Sequence, residues 1–579
     1  MNDNNSLQNI RHSTAHLLAA AVLKLYPHAK NAIGPAIESG FYQDFDLGDV
    51  KITDNDLKKI EDEMRKILQT WDTFEIQEVS ATKAKQDFLW NPYKLALIEE
   101  LEKEGKTITE TRQGDFLDLC KGGHSTNPKK EIGAFKLLSI AGAYWLGSEK
   151  NKMLTRIYGT AFSSKKELDD YLNLLSEAKK RDHRKIGKEL DLFVFSDLVG
   201  AGLPLFTPKG TIVRDQLINF SEQIQEKFGY QKVTIPYITK VDLYKKSGHF
   251  DKFGNQLFLV KSQETKDQFV LKPMNCPHHI QIYASRPRSY RELPIRYMET
   301  TQQYRDEKAG ELLGLARVRA ITIDDSHLFC TMEQVEKEFE NILTMVKQIY
   351  NALKMEFNLR LSFRDDSDKY LGEKADWKLA EEVLEKTAKN SGLQYKIARG
   401  EAAFYGPKID VMVIDAIGRE WQCATDQLDF VQPQRFNLSY KDASGKDKTP
   451  VMIHKALLGS IERFLSVYIE HTEGKFPLWL APVQVILLPI ADRHQNFAET
   501  VENMLLDAKV RVETDTRSES LQAKIRDATL QKIPILGIIG DKETAENKIA
   551  VREREGNKQD ILSITDFLQK ILNNIDKKV

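Results

Sequence analysis

The sequence predicts a multidomain protein of mixed α+β and α/β architecture, on three observations. At 579 residues the chain is long enough for three or more domains, each with its own core. From Leu190 to about Leu480, long helical patterns mix with strands rich in β-branched and aromatic residues. That mixture suits an antiparallel sheet core flanked by helices. From Val483 onward an apolar run is followed by a helix (496–507), a strand (509–513), a helix (520–531) and a strand (534–539). Such alternation argues for helices on both faces of a largely parallel sheet.

Composition narrows the class. Hydrophobic residues make up 41% and charged residues 29%, as in ordinary globular proteins. Net charge is −1, so any nucleic-acid contact must use local basic patches. No apolar window approaches the ~18 residues of a membrane span, and Met-Asn-Asp-Asn-Asn-Ser at the start has no apolar signal core. The expectation is a cytoplasmic protein. Its four cysteines, Cys120, Cys276, Cys330 and Cys423, then read as free thiols.

The first region, to about residue 160, opens on a helix. His12 and His16 are four apart and share one face of it. Strand-like stretches surround Ile33 to Phe45, and Asp118-Leu-Cys-Lys-Gly-Gly-His124 follows later. His-x-x-x-His with Cys-x-x-x-His fits either a four-ligand zinc cage or a metal-free hydrolytic site, and we favour the latter. The histidine pair lacks the glutamate of His-Glu-x-x-His, so a peptidase reading fails. Residues 165–190 read as a solvated, lysine-rich connecting helix.

Three potential metal ligands stand out in the middle region. Cys276 lies in Lys-Pro-Met-Asn-Cys-Pro-His-His (272–279), His327 in Ile-Asp-Asp-Ser-His-Leu-Phe-Cys (323–330) and His454 in Val-Met-Ile-His-Lys-Ala (451–456). One thiolate and two imidazoles suit zinc, and three protein ligands leave a fourth position for a substrate. Their sequence separation excludes a zinc finger.

The neighbouring segments are distinctive. Arg-Tyr-Met-Glu-Thr-Thr-Gln-Gln-Tyr-Arg-Asp-Glu (296–307) reads as a strand, and Gly-Leu-Ala-Arg-Val-Arg (314–319) as the returning one, around a loop at Lys308–Gly310. Leu-Gly-Ser-Ile-Glu-Arg-Phe (458–464) reads as a helix carrying Arg463. Upstream, a helix from Gly210 ends near Gly229, ahead of a strand Val-Thr-Ile-Pro (233–236). With Phe-Tyr-Gly-Pro-Lys (404–408) and Thr-Asp-Gln-Leu-Asp-Phe (425–430), this set resembles the threonyl-tRNA synthetases of class II, from about residue 8 to the end.

The resemblance implies an editing domain (1–164), a linker helix (165–190), a class II catalytic domain (191–480) and an anticodon-binding domain (481–579). It implies activation of threonine with ATP, transfer to tRNA(Thr) and hydrolysis of seryl-tRNA(Thr). Implied cofactors are one zinc per subunit and Mg2+ with ATP; implied partners are tRNA(Thr), threonine, ATP and a second copy of the chain, with no membrane and no DNA. By resemblance Arg305, Arg463 and Arg317 meet the phosphates and Glu307 the adenine. Asp325, Tyr405 and Gln427 contact substrate, with Lys408, Gln422 and Cys423 lining the same region. Editing falls to His12, His16, Cys120 and His124, with Lys94 and Asp118, and anticodon contacts to Glu543 and Arg552. Family members commonly carry a further small domain, for which no room is expected ahead of His12. Four positions depart from the usual bacterial pattern: Ile323 for Gln, Lys121 for Arg, Gly123 for Pro and Ser518 for Asn.

Overall fold

A computed structural model describes residues 3–556 and 559–578. The chain forms two compact units, one ending at Glu177 and one beginning at Ala178. In the first unit, the helix Asp3–Leu25 is buried on every side through its Ala15–Val22 stretch, as its nearly continuous apolar sequence requires. It packs on Gly40–Asp46 and Met153–Phe162, which pair antiparallel in a sheet completed mainly by Ala134–Tyr144. The amphipathic helix Leu57–Leu68 closes the core with Ile60 and Met64. Each such fully buried aliphatic or aromatic side chain contributes roughly 1.5–3 kcal/mol. A second small sheet, Glu75–Val79, Ile108–Gln113 and Phe116–Leu119, carries Asp118 on its last strand and delivers Cys120 just beyond it.

The expected connecting helix is two helices, Lys165–Lys180 and His183–Glu189. Asp182 caps the second by accepting the Arg184 N–H at 2.8 Å, so the chain turns between them.

In the second unit an eight-stranded sheet runs in the order Gln231–Lys232, Ile295–Tyr304, Ala320–Cys330, Val451–Ser460, Glu420–Asp429, Lys408–Ile414, Glu356–Phe363, Tyr395–Arg399. All pairings are antiparallel except those of the two edge strands. Helices Pro208–Lys227, Val335–Ala352 and Ile461–Thr472 bury their apolar faces in its main core. Three expected boundaries move. The strand expected at 233–236 is the two-residue Gln231–Lys232, since Pro236 has no N–H for a ladder. Residues 314–319 belong to the loop, and the returning strand starts at Ala320. Leu458 to Ser460 end a strand, and the helix starts at Ile461 behind the cap Ser460, which accepts the Arg463 N–H at 3.2 Å.

The last portion is a five-stranded sheet ordered Val512–Thr514, Val485–Pro489, Ile535–Ile539, Lys548–Glu553, Gln559–Ser563. The first three strands run parallel and the fourth is antiparallel to both its neighbours, so the parallel part is smaller than the alternation predicts. Val485 and Leu487 enter one apolar cluster while Ile486 and Leu488 enter another, which is the period-two signature of a sheet covered on both faces. Among the described residues no helix is long and apolar enough to cross a membrane.

Candidate functional site

Cys276 opens the helix Cys276–Ala284, His327 sits on Ala320–Cys330 and His454 on Val451–Ser460. The two strands pair so that His327 and His454 are direct partners. The three buried side chains bring their ligand atoms within 4.8 Å of one another, with His327 Nε2 3.1 Å from His454 Nδ1. The remaining ring nitrogens have their own holders: His279 Nδ1 lies 2.8 Å from His327 Nδ1, and Asp429 Oδ2 lies 2.8 Å from His454 Nε2. A carboxylate behind a histidine is the usual means of fixing a ligating tautomer. Burial pushes the Cys276 thiol well above its ordinary range, so a thiolate there needs an adjacent cation. Donor set, spacing and outer partners all fit zinc. His279 and Asp429 are additions of the structure; nothing local in the sequence marks them as holders.

A cavity of about 350 Å3 adjoins the trio. Arg305, Arg463, Asp325, Tyr405, Gln422, Gln427 and Cys423 all line it. The Tyr405 hydroxyl donates to Gln427 Oε1. Arg305 is partly buried, with its Nε–H buried and unpartnered; burial lowers its affinity for the proton, and Glu307 and Asp325 only partly offset this. Lys408 lies outside that lining, with Nζ 2.5 Å from Asp410 Oδ2. Arg317 and Glu307 pair with each other at 2.7 Å in the loop 305–319, and Arg317 also reaches Glu311 at 2.6 Å. Ile323 lines the cavity, as does buried Gln303, two residues before Arg305. Gln303 Nε2 donates to Asp325 Oδ2 at 3.2 Å and its Oε1 has no partner.

The first unit holds a second cluster. His12, His16, Cys120 and His124 present ligand atoms within 4.8 Å of one another. Cys120 Sγ is 3.4 Å from His12 Nε2 and 3.3 Å from His124 Nε2. Asp118, fully buried, joins His16 Nδ1 at 3.0 Å to Lys94 Nζ at 2.5 Å. Burial disfavours the Asp118 carboxylate, yet Lys94 and His16 outweigh it and hold its pKa below the usual range. Burial also opposes the His16 imidazolium, but Asp118 and Cys120 hold its pKa up at about 9. Burial likewise opposes the Cys120 thiolate, and the three imidazoles bring it down to about 3. Gly123 adopts φ +84°, closed to proline, and its carbonyl lies 3.1 Å from His12 Nδ1. A cavity of about 580 Å3 is lined by His12, His16, Lys94, Asp118, Cys120 and Lys121 among others.

The thiolate carries an expected outcome. Cys120 is partly exposed, whereas Cys276, Cys330 and Cys423 are buried and have thiols pushed upward by burial. A depressed thiol stays ionised down to its own folded pKa and is lost only as pH falls through it. Iodoacetamide at pH 6 should therefore alkylate Cys120 first, at a rate nearly flat from pH 8 to pH 5. An ordinary thiol would slow about tenfold per pH unit over that range. Peptide mass spectrometry reads the site; first labelling at Cys330 or Cys423 contradicts the assignment.

In the last portion, Glu543 Oε2 accepts the Gly540 N–H at 3.0 Å, which closes the turn into Asp541–Glu546. Arg552 lies on Lys548–Glu553 between Leu536 and Gln559.

Comparison with known proteins gives three family matches. Residues 258–472 match the tRNA synthetase class II core domain (G, H, P, S and T). Residues 484–574 match the anticodon binding domain, and residues 111–158 the threonyl and alanyl tRNA synthetase second additional domain. A threonine–tRNA ligase of Gloeobacter violaceus is 49% identical over 567 residues, 96% of this chain and 90% of its own length. One from Flavobacterium johnsoniae is 46% identical over 100% of this chain and 89% of its own length. Among solved structures, the RNA binding domain of threonyl-tRNA synthetase from Cryptosporidium parvum matches at 37% identity and a TM-score of 0.65, covering 68% of this chain and 98% of that one.

Proposed function

The chain belongs to the threonine–tRNA ligases, enzymes of the class II aminoacyl-tRNA synthetase fold, and from that premise we propose how its residues divide the work. The observation that carries the reading is the buried trio Cys276, His327 and His454 at the wall of a cavity also lined by Arg305 and Arg463. The trio holds the zinc. Zinc bound there would supply Lewis-acid recognition of the threonine amino group and β-hydroxyl, and valine lacks that hydroxyl.

The rest falls to the chain. Asp325, held by Asn275 at 3.0 Å and Gln303 at 3.2 Å, accepts from the amino group or hydroxyl of the substrate. Gln303 Oε1 supplies a polar contact that Ile323 cannot. Tyr405 and Gln427 close the pocket. The threonine carboxylate attacks the α-phosphorus of ATP, brought in with Mg2+, and the bond to pyrophosphate breaks. Arg305 and Arg463 neutralise charge on the phosphates, because positioning and preorganised charge are what phosphoryl transfer needs. Glu307 meets the adenine amino group, with Arg317 beside it. A hydroxyl of the terminal adenosine of tRNA(Thr) then attacks the activated carbonyl, and AMP departs.

The cluster in the first unit hydrolyses seryl-tRNA(Thr). We take it as metal-free, because four protein ligands would close a tetrahedral shell and leave no place for water. The His124 imidazole, kept neutral by burial, takes the proton of water, while the Cys120 thiolate, Lys94 and His16 set the charge around it. Glu543 and Arg552 read anticodon bases. The cytoplasmic enzyme acts as an isologous homodimer through the segment around Pro236, where Tyr237 and Ile238 expose apolar surface.

The test is metal content beside amino-acid activation. Elemental analysis should find one zinc per chain, and pyrophosphate exchange should respond to threonine and serine but scarcely to valine. Active enzyme without zinc, or exchange with valine as fast as with threonine, would overturn the reading.

A further inference from the structure

The loop 305–319 carries Arg305, Glu307 and Arg317 between two central strands. A loop of this length holds a shape only if its backbone groups are tied down. Some ties are local: Arg305 N–H to Arg319 O at 3.0 Å, and Leu313 N–H to Arg317 O at 3.1 Å. One is not. Leu315 is fully buried, and its N–H donates to His183 Nε2 at 3.1 Å.

His183 opens the short helix behind Asp182, and its ring is buried. Since Nε2 accepts, the ring proton sits on Nδ1, which donates to Glu470 Oε1 at 2.7 Å. The His183 backbone N–H reaches the same oxygen at 3.2 Å. The other oxygen, Glu470 Oε2, takes Arg419 Nη2 at 2.5 Å. Glu470 lies near the end of Ile461–Thr472, the helix whose first turn presents Arg463. One ring therefore joins the loop of Arg305 to the helix of Arg463. The fit is close: Gly314 has φ +47°, and a Cβ there would come within 2.3 Å of His183 Nε2. The cluster Asp182, His183 and Glu470 could be mistaken for metal ligands, but both imidazole nitrogens are already engaged.

We propose that His183 is a positioning residue for ATP, fixing the loop 305–319 against the Arg463 helix through Leu315 and Glu470. The proposal rests on the reading of Arg305 and Arg463 as phosphate-binding groups.

Two isosteres separate its bonds. An asparagine amide reaches the place of Nδ1 and keeps Glu470, but loses the acceptor for Leu315. A glutamine amide reaches the place of Nε2 and keeps that acceptor, while the backbone N–H of residue 183 still holds Glu470. In pyrophosphate exchange with the full chain, His183→Asn should raise KM for ATP about ten- to a hundred-fold, with KM for threonine within about twofold, because misplaced binding groups cost on this scale. His183→Gln should return to within about threefold of wild type. Gly314→Ala, which pushes the loop off the ring while leaving His183 in place as the residue, should reproduce the selective rise in ATP KM. An unchanged ATP KM in His183→Asn and Gly314→Ala, a parallel rise for both substrates, or failure of His183→Gln to rescue would overturn the proposal. Arg305→Ala is measured alongside. Intact exchange in that variant overturns the ATP-site reading and this proposal with it; lost exchange there with normal His183→Asn overturns the proposal alone.

Discussion

Replacing Arg305 by alanine should lower pyrophosphate exchange by at least about 10²-fold, the usual cost of removing a preorganised charge group, without destabilising the fold. The argument comes from what the arginine lacks. Its side chain is partly buried, its Nε–H is buried without a partner, and burial works against its charge. A buried donor left unsatisfied costs on the order of 1–3 kcal/mol. A residue kept at such a cost stabilises something absent from the resting fold, and a phosphate supplies both the acceptor and the charge. Removing it should leave the thermal midpoint unchanged or slightly raised, and zinc content unchanged, since Arg305 is not among the grouped ligands. Exchange assays beside thermal unfolding check both halves. Exchange within about tenfold of wild type contradicts the role; a large fall in midpoint would make Arg305 a structural residue.

The contrast with Lys408 shows what sequence reading can and cannot separate. Both are basic residues in segments that carry the family resemblance. Lys408 is spent on Asp410 at 2.5 Å, whereas Arg305 keeps a free donor at the cavity. Asp410 stands two residues on in the same strand and so shares a face with Lys408, which is readable in sequence, whereas the lack of a partner for the Arg305 Nε–H depends on tertiary packing. The grouping of Cys276, His327 and His454 was legible through the motifs around them, because one cysteine and two histidines scattered along a chain say little alone. Its holders His279 and Asp429 were not, since a histidine on a helix and an aspartate at a strand end have many possible partners. The fold followed the same rule. Long periodic helices and β-rich runs set the layers, while Pro236 and Asp182 moved boundaries through one missing N–H and one cap. Asp182 was readable in principle, as an aspartate ahead of a helical run is a start signal. The link from His183 to Leu315 was not, because it spans 132 positions.

The second large effect concerns His12 and His16. The double variant His12→Ala, His16→Ala should lose hydrolysis of preformed seryl-tRNA(Thr) by about 10²-fold or more, as expected when general acid–base groups go, yet keep normal threonylation. The two clusters lie in different compact units and share no residue. Folding should survive, because Asp118 keeps Lys94 at 2.5 Å when His16 is gone. Cys120 should become harder to ionise, since two of the imidazoles that hold its thiolate are removed; slower alkylation at pH 6 reports that separately. The need for a second site follows from the limit of the first. Serine also offers an amino group and a β-hydroxyl to the trio, and the missing methyl is worth only roughly 1–3 kcal/mol, or ~10–200-fold. Serine must therefore be activated and attached at an appreciable rate, and the double variant should accumulate seryl-tRNA(Thr). Equal deacylation by variant and wild type would locate hydrolysis elsewhere. Absence of deacylation in the wild type would mean that the loop with Lys121 and Gly123, bent at φ +84° where a proline could not follow, no longer supports it.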